Sequence, residues 1–387
     1  MRYRKIACYN FEFATRDERE IDVVKRFTDD VAIIAAEGVH MNDETKNGVP
    51  IIRVHESKGG GKLAHYLKNM GLWRRAINNE SADILSCHDL KALLIGYLSV
   101  FGKHGRPALV YDAHELEIGR NSDLSKSKLL TAVKVRLERF LMRRCAFSIA
   151  VNDSIADEMV RVHRLPERPV VVRSTPYLWE RDEAAVRAAR ESFCSELGVD
   201  PDEAFLVMYH GAVVRGRGVE QVIEAAALAP KVSCVVLGDG DVSYLDELRA
   251  LAKGFGVEGR VLFRPAVPRE GLEAFVAAAD VGMVACQAIT RSYYLMLPNK
   301  FFENVQAETP IVASDFPETS RLVERYGIGL TCDPSDVAEI ASCIERLRED
   351  RGLYGECKIK LRIAKKELCW ERESATLEKA YYGAFSA

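Results

Sequence analysis

The chain has 387 residues, and at 43.3 kDa it exceeds one typical core and fits two domains of roughly 150–200 residues each. A hydrophobic share of 48 % with 29 % charged residues excludes disorder as the dominant state. The net charge of −3 argues against a dedicated nucleic-acid binder, so no nucleic acid is expected as a partner.

Short apolar runs alternate with helical patterns from the start. KIACYNF (5–11), DVAIIAA (30–36), ADILSCH (82–88), ALVYDAHE (108–115) and FSIAVND (147–153) read as strands buried on both faces. Between them LAHYLKNMGLWRRAINN, LKALLIGYLSVFGK and KSKLLTAVKVRLERFLMRR carry apolar residues at helical spacing. Such alternation implies parallel strands with right-handed crossovers. VVVRSTPYL closes this half at residue 178.

A charged helix over 180–197, stopped by Gly198 and Pro201, leads into the second half. There AFLVMYHGA, SCVVLGDG, VLFRPA, VGMVAC, PIVAS and GLTCD read as strands, again separated by helices. CWERESATLEKAYYGAF is a final amphipathic helix. The expected fold class is α/β, with domains at 1–178 and 179–369 and a returning segment at 370–387.

The ten cysteines show no C-x2-C or C-x4-C pair, so zinc spacing is absent and they read as small buried hydrophobes in a reducing compartment. No stretch approaches the roughly 18 apolar residues that span a bilayer, and the opening MRYRKIACYNFEFATRDERE has no signal-peptide core. A cytoplasmic location is expected.

In parallel sheets ligands bind beyond the carboxyl ends of the strands, so the strand-to-helix loops carry the chemistry. GAVVRGRG (211–218) nearly matches the phosphate-loop pattern, but Arg217 replaces its lysine and Gly218 its magnesium-binding hydroxyl, which argues against a nucleoside triphosphatase. Gly211 and Gly218 would still let backbone approach a phosphate at a helix start, with Arg215 and Arg217 as fixed charge; the plainer reading is a tight turn with two solvated arginines. Gly238 and Gly240 in LGDGDVS lack the third glycine of a dinucleotide fingerprint, since Ser243 stands there. In LPNKFFENVQAETPIVASDFPE (297–318), Pro298 fits a first helical turn, and Lys300 and Glu303 share one face. Lys300 would add charge for a diphosphate and Glu303 would accept bonds from vicinal hydroxyls; a surface ion pair is the plainer alternative.

Together, and in this order, YHGAVVRGRGVEQVIEA, VVLGDGD, AADVGMVA and LPNKFFENVQAETPIVASDFPE resemble the retaining glycosyltransferases of GT-B fold in family 4. VYDAHE and AFSIAVNDSIADEM extend the likeness into the first half, and WERESATLEKAYYGAF resembles the final helix that returns to the first domain. The resemblance implies two Rossmann-like domains facing across a cleft. The second would bind a UDP- or GDP-sugar donor, and the acceptor would be lipid-linked or a saccharide. It places Arg217 on the donor diphosphate, Glu303 on the ribose hydroxyls, Lys300, Pro298 and Asn299 by the donor sugar and phosphate, and His114 beside the transferred sugar. It implies no cofactor and no metal. Two positions depart: the first glutamate of E-x7-E falls at Leu295, and the arginine after the first loop glycine falls at Ala212, where Arg215 is the substitute at hand. A branch with a P-N-K-x-F-E pattern shares the first departure. A sugar-nucleotide epimerase of the same fold and a non-catalytic transferase partner are the alternatives.

Residues 126–144 carry seven basic residues and one acidic. Leu129, Val133, Leu137, Phe140 and Leu141 form a stripe expected to face the core, leaving the basic face for an anionic membrane surface. The protein would then be peripheral on the inner membrane face.

Overall fold

The structure is a computed structural model, describing residues 1–10, 15–36, 45–57, 62–102, 105–117 and 128–385. Phe11, Lys103, Lys126, Ser127 and the last two residues of the expected elements lie outside these. The chain divides into two compact units, Met1–Ser174 with Glu373–Ala387, and Thr175–Arg372.

In the first unit, strands β1 (Tyr3–Asn10), β2 (Val31–Ala36), β3 (Thr45–Lys46), β4 (Val49–Val54), β5 (Ile84–His88), β6 (Ala108–Ala113), β7 (Phe147–Ala150) and β8 (Val170–Val171) form one sheet in the order β3-β4-β2-β1-β5-β6-β7-β8. All neighbours are parallel except β3 with β4, a short hairpin that the sequence pattern did not announce. The order reverses between β1 and β5. The helix Trp370–Phe385 packs here: Tyr381 meets Tyr3 edge-on and Glu373 pairs with Arg173 at 3.1 Å.

In the second unit, β9 (Phe205–His210), β10 (Val232–Leu237), β11 (Val261–Arg264), β12 (Val281–Val284), β13 (Ile311–Ser314) and β14 (Gly329–Cys332) run parallel in the order β11-β10-β9-β12-β13-β14. Here the order reverses between β9 and β12. Both sheets thus have a topological switch point, where diverging crossovers leave a crevice at the carboxyl edge. β9 and β10 are wholly buried, because helices cover both faces.

One expectation is corrected. In the helix Lys128–Met142 the face turned to the core carries Glu138, Leu141 and Met142, spaced i, i+3, i+4. Leu129 and Val133 are 73 % and 55 % exposed, and Phe140 is exposed too. The reason is Glu138: it accepts the buried Tyr111 hydroxyl at 2.9 Å and lies 3.3 Å from His163, which fixes the helix about its axis, turning Leu129, Val133 and Phe140 outward while Leu141 keeps its expected place in the core. All ten cysteines are free thiols, seven buried and three half-buried. No described helix is long and apolar enough to cross a membrane.

Candidate functional site

At the switch point of the second unit, β9 ends on Tyr209 and His210 and runs into the loop 211–218. Glycine is required here by close approach. A Cβ on Gly218 (φ +82°) would lie 1.9 Å from the Ala285 carbonyl oxygen, and one on Gly238 equally close to that of Gly211. Gly240 has the same role against Val213, with which it forms a lone parallel bridge. The two glycine loops therefore pack backbone on backbone. Gly211 itself takes φ +101° with open space around it. Gly218 begins the helix Val219–Leu228 without a side-chain cap, leaving its first N–H groups open to an acceptor.

Arg217 is half-buried, with its guanidinium 5.0 Å from the Tyr293 ring centre, 3.7 Å from the Met296 sulfur, and in contact with the Cys286 thiol. Arg215 is placed elsewhere. It is exposed, pairs with Glu247 and lies over the Tyr244 ring.

Pro298 caps the helix Asn299–Gln306, one residue before the expected position, and Asn299 is exposed. The helix carries Lys300 inward. Lys300 is 7 % exposed, its Nζ sits 3.4 Å from the Tyr209 ring centre, and it has no hydrogen-bond partner among the described residues. Burial, aided by the nearby Arg217 charge, pushes its pKa down to about 7. One turn on, Glu303 meets His210 Nε2 at 3.0 Å. Burial raises the Glu303 carboxyl, but His210, Arg269 and Lys300 outweigh it and hold the carboxyl below its ordinary value. So Arg217, Lys300 and Glu303 gather at one sheet edge, and neither cation has an ion pair among the described residues. Leu295, the last residue of the helix Arg291–Leu295, is buried. Tyr209, His210, Cys286 and Tyr293 are additions that sequence reading missed. Of these only His210, abutting the first loop glycine, left a legible signal.

The switch point of the first unit holds a different chemistry. Lys5 of β1, fully buried, reaches Asp17 at 2.6 Å, Glu20 at 2.5 Å and Asp112 at 3.6 Å. Arg16 pairs with Glu20 and Asp112 at 2.8 and 3.2 Å. His114 lies 3.0 Å from the Asp112 carboxylate, with its ring against His88 at a centroid distance of 3.2 Å. Burial dominates His114 and pushes it down to about 4, against the opposing pull of Asp112, so the ring is neutral near pH 7. Asp17, His88 and His114, and likewise Glu20, Asp112 and His114, bring ligand atoms within 4.8 Å, a spacing compatible with a metal ion. Lys5 and Arg16 already supply cations to those carboxylates, so the donor set fits a buried ion-pair network better than a metal.

The chain matches two family descriptions: "Glycosyltransferase Family 4" over residues 24–176 and "Glycosyl transferases group 1" over 195–363. It is similar to an alpha-D-kanosaminyltransferase of Streptomyces kanamyceticus, 26 % identical over 55 % of this chain and 54 % of that protein. It is also similar to a D-inositol 3-phosphate glycosyltransferase of Mycobacterium sp. (strain JLS), 30 % identical over 62 % and 53 %. The chain thus spans about half the length of these relatives. Among solved structures, Anabaena Alr3699/HepE in complex with UDP aligns over all of both chains with a TM-score of 0.80 at 17 % identity, a likeness of fold. Each of the two parallel-sheet Rossmann-like units thus matches a glycosyltransferase family model, and the chain has the GT-B fold.

Proposed function

We propose that this protein transfers a sugar from a nucleoside diphosphate donor to a hydroxyl acceptor with retention, using neither a metal nor a side-chain nucleophile. The observation that carries the reading is the pair of unpaired cations, Arg217 and buried Lys300, beside an open helix N-terminus. Burying an ammonium without a carboxylate is costly, and a diphosphate offsets that cost. Cleavage of the anomeric bond leaves negative charge on the departing diphosphate. Arg217, Lys300 and the first N–H groups of the helix Val219–Leu228 stabilise that charge where it develops. A phosphate oxygen of the leaving group then takes the proton of the acceptor hydroxyl. Glu303, ionised, accepts bonds from the ribose diol. Neutral His114 gives its Nε2 proton to Asp112, which leaves Nδ1 to accept a hydrogen bond from a hydroxyl of the transferred sugar.

The Anabaena protein was solved with UDP, which makes UDP-sugars the first donors to try, with GDP-sugars as the alternative. The test is a thermal-shift panel of UDP, GDP and ADP and their sugars, followed by transfer assays. Stabilisation by one nucleotide diphosphate, lost in Arg217→Ala, supports the reading; no stabilisation by any overturns it.

A lipid-linked or polysaccharide acceptor and a peripheral membrane position complete the proposal. Leu129, Val133, Arg136, Phe140, Arg143 and Arg144 fall on one exposed face of the chain around the helix Lys128–Met142. Tyr97 bridges Phe140 to the exposed Phe101 at 5.6 and 5.7 Å, widening the apolar patch. Apolar area rimmed by arginines is complementary to an anionic bilayer.

A further inference from the structure

The His210 side chain has a single hydrogen-bond contact among the described residues. It is 1 % exposed, its Nε2 lies 3.0 Å from Glu303 Oε2, and its Nδ1 has no partner. A carboxylate only accepts, so the nitrogen facing it carries the proton. The ring is enclosed at 1 % exposure, and the sheet fixes the backbone that carries it: His210 is the last residue of β9 and pairs in register with Leu237. Glu303, by contrast, is a long side chain with several rotamers on an exposed-to-buried helix face. A rigid donor therefore selects one rotamer of a flexible acceptor.

We propose that His210 is a positioning residue of the donor site, locking the Glu303 carboxylate so that its remaining lone pairs meet both hydroxyls of a ribonucleotide's ribose. This rests on the reading of Glu303 as the ribose acceptor. A histidine so buried with one orphaned nitrogen is a poor choice for packing alone, since an apolar residue would leave nothing unsatisfied. Its presence is accounted for by the one bond it makes. The consequence concerns selectivity: the site should discriminate sharply against a 2′-deoxyribonucleotide, because the deoxy analogue leaves a positioned charged acceptor unpaired.

The test uses the full chain and calorimetric dissociation constants for UDP and 2′-deoxy-UDP (or the GDP pair, if the guanine nucleotide is the one that binds). Three proteins are compared: wild type, His210→Leu, and His210→Gln, whose amide N–H reaches about as far as Nε2. Wild type should prefer the ribonucleotide by about tenfold or more, the range of a lost bond to a charged group. His210→Leu should reduce that preference to less than about threefold, with the larger loss falling on the ribonucleotide, and His210→Gln should restore it. Unchanged preference in His210→Leu overturns the proposal, and so does an equal loss for both nucleotides, which marks a structural role. Circular dichroism and thermal melts identify a misfolded leucine variant, in which case the glutamine variant decides: loss of discrimination there, with the fold intact, overturns the proposal. If wild type binds the nucleotide but does not discriminate, the assignment of Glu303 to the ribose falls and this inference with it. If wild type binds no nucleotide, the proposed function itself falls.

Discussion

The Lys300 ammonium rests 3.4 Å from the centre of the Tyr209 ring, and a cation over an aromatic face is only partial compensation for its lost hydration. The second cation, Arg217, is likewise set against an aromatic ring, that of Tyr293. Aromatic faces hold both charges in place without neutralising them, which keeps them available to an anion. Lys300→Met should therefore weaken nucleotide diphosphate binding markedly while sparing binding of the nucleoside. Arg217→Ala should cost roughly 10²–10³ in turnover, the scale of one lost transition-state donor. Calorimetry and steady-state assays check both; near-normal turnover in Arg217→Ala would reject its assignment.

The Lys300 pKa near 7 gives a pH signature with a definite sign. In the unfolded chain the group titrates near 10.5, so between pH 7 and pH 10 the unfolded state binds a proton that the folded state lacks. Stability contributed by this group rises with pH across that window, and the full penalty is present below pH 7. Lys300→Met should thus raise the melting temperature most at pH 6, with the gain fading toward pH 9. An anion favours the charged form, so diphosphate binding near pH 8 should take up a proton. Calorimetry in buffers of different ionisation enthalpy detects that uptake; a proton count of zero, matched by the Met variant, would refute it.

Gly218 separates the need for a backbone conformation from the need for space. Its Cβ would collide with the Ala285 carbonyl, whereas Gly256, also at positive φ (+67°), has nothing within 4 Å. Gly256→Ala should cost about 1 kcal/mol, the price of the left-handed conformation. Gly218→Ala must also move backbone, and a cost of about 3 kcal/mol or more is expected with loss of nucleotide binding. Denaturant melts of the two variants give the comparison. Equal destabilisation would show that the contact with Ala285 yields easily.

Much of this was legible because strand and loop chemistry are local. AFLVMYHGA and VGMVAC are uninterrupted apolar runs ended by polar or small residues, and both strands form there. Glycine at 218 announced close approach, though what approaches is the Ala285 carbonyl; at 238 the sequence showed only an incomplete fingerprint, and the glycine there makes room for the Gly211 carbonyl. Lys300 and Glu303 were legible as one helix face, but their partners on β9 were not, because contacts across a sheet edge leave no spacing in the sequence. Lys5 is the sharpest case. It sits in a run read simply as buried strand, and its carboxylate partners come from a helix and from β6. The stripe on the helix Lys128–Met142 showed a face but not its direction. Buried Glu138, outwardly a charged surface residue, decided that.

The Lys5 network should be intolerant of partial dismantling. Lys5→Met leaves Asp17, Glu20 and Asp112 around Arg16 alone, all buried. Breaking a buried ion pair on one side typically costs about 3–5 kcal/mol, and here three buried carboxylates would be left to share one guanidinium. Lys5→Met with Asp17→Asn should be less unstable than the sum of the single variants. The carboxyls of Asp17 and Asp112 are held far below their ordinary values, burial opposing and the neighbouring cations and histidines prevailing. Their contribution is present above about pH 4 and is lost progressively as the pH falls below it. Acid titrations of stability should show that loss reduced in the double variant, and strict additivity would dissolve the network into independent pairs.

On the proposed peripheral position, the exposed face around the helix Lys128–Met142 is the one that would meet a bilayer. Leu129 and Val133 would enter the headgroup region, with Arg136, Arg143 and Arg144 beside the phosphates. Each basic residue near an anionic surface contributes about 1 kcal/mol, and salt screens it. Arg143→Gln with Arg144→Gln should lower affinity for anionic vesicles on the order of tenfold. Leu129→Glu with Val133→Glu should reduce it further and leave soluble nucleotide binding unaltered, since those residues belong to the other unit from Arg217. Vesicle flotation across lipid composition and ionic strength is the measurement. Flotation indifferent to anionic lipid, to salt and to these substitutions would remove the membrane from the account and leave the apolar face to a protein partner.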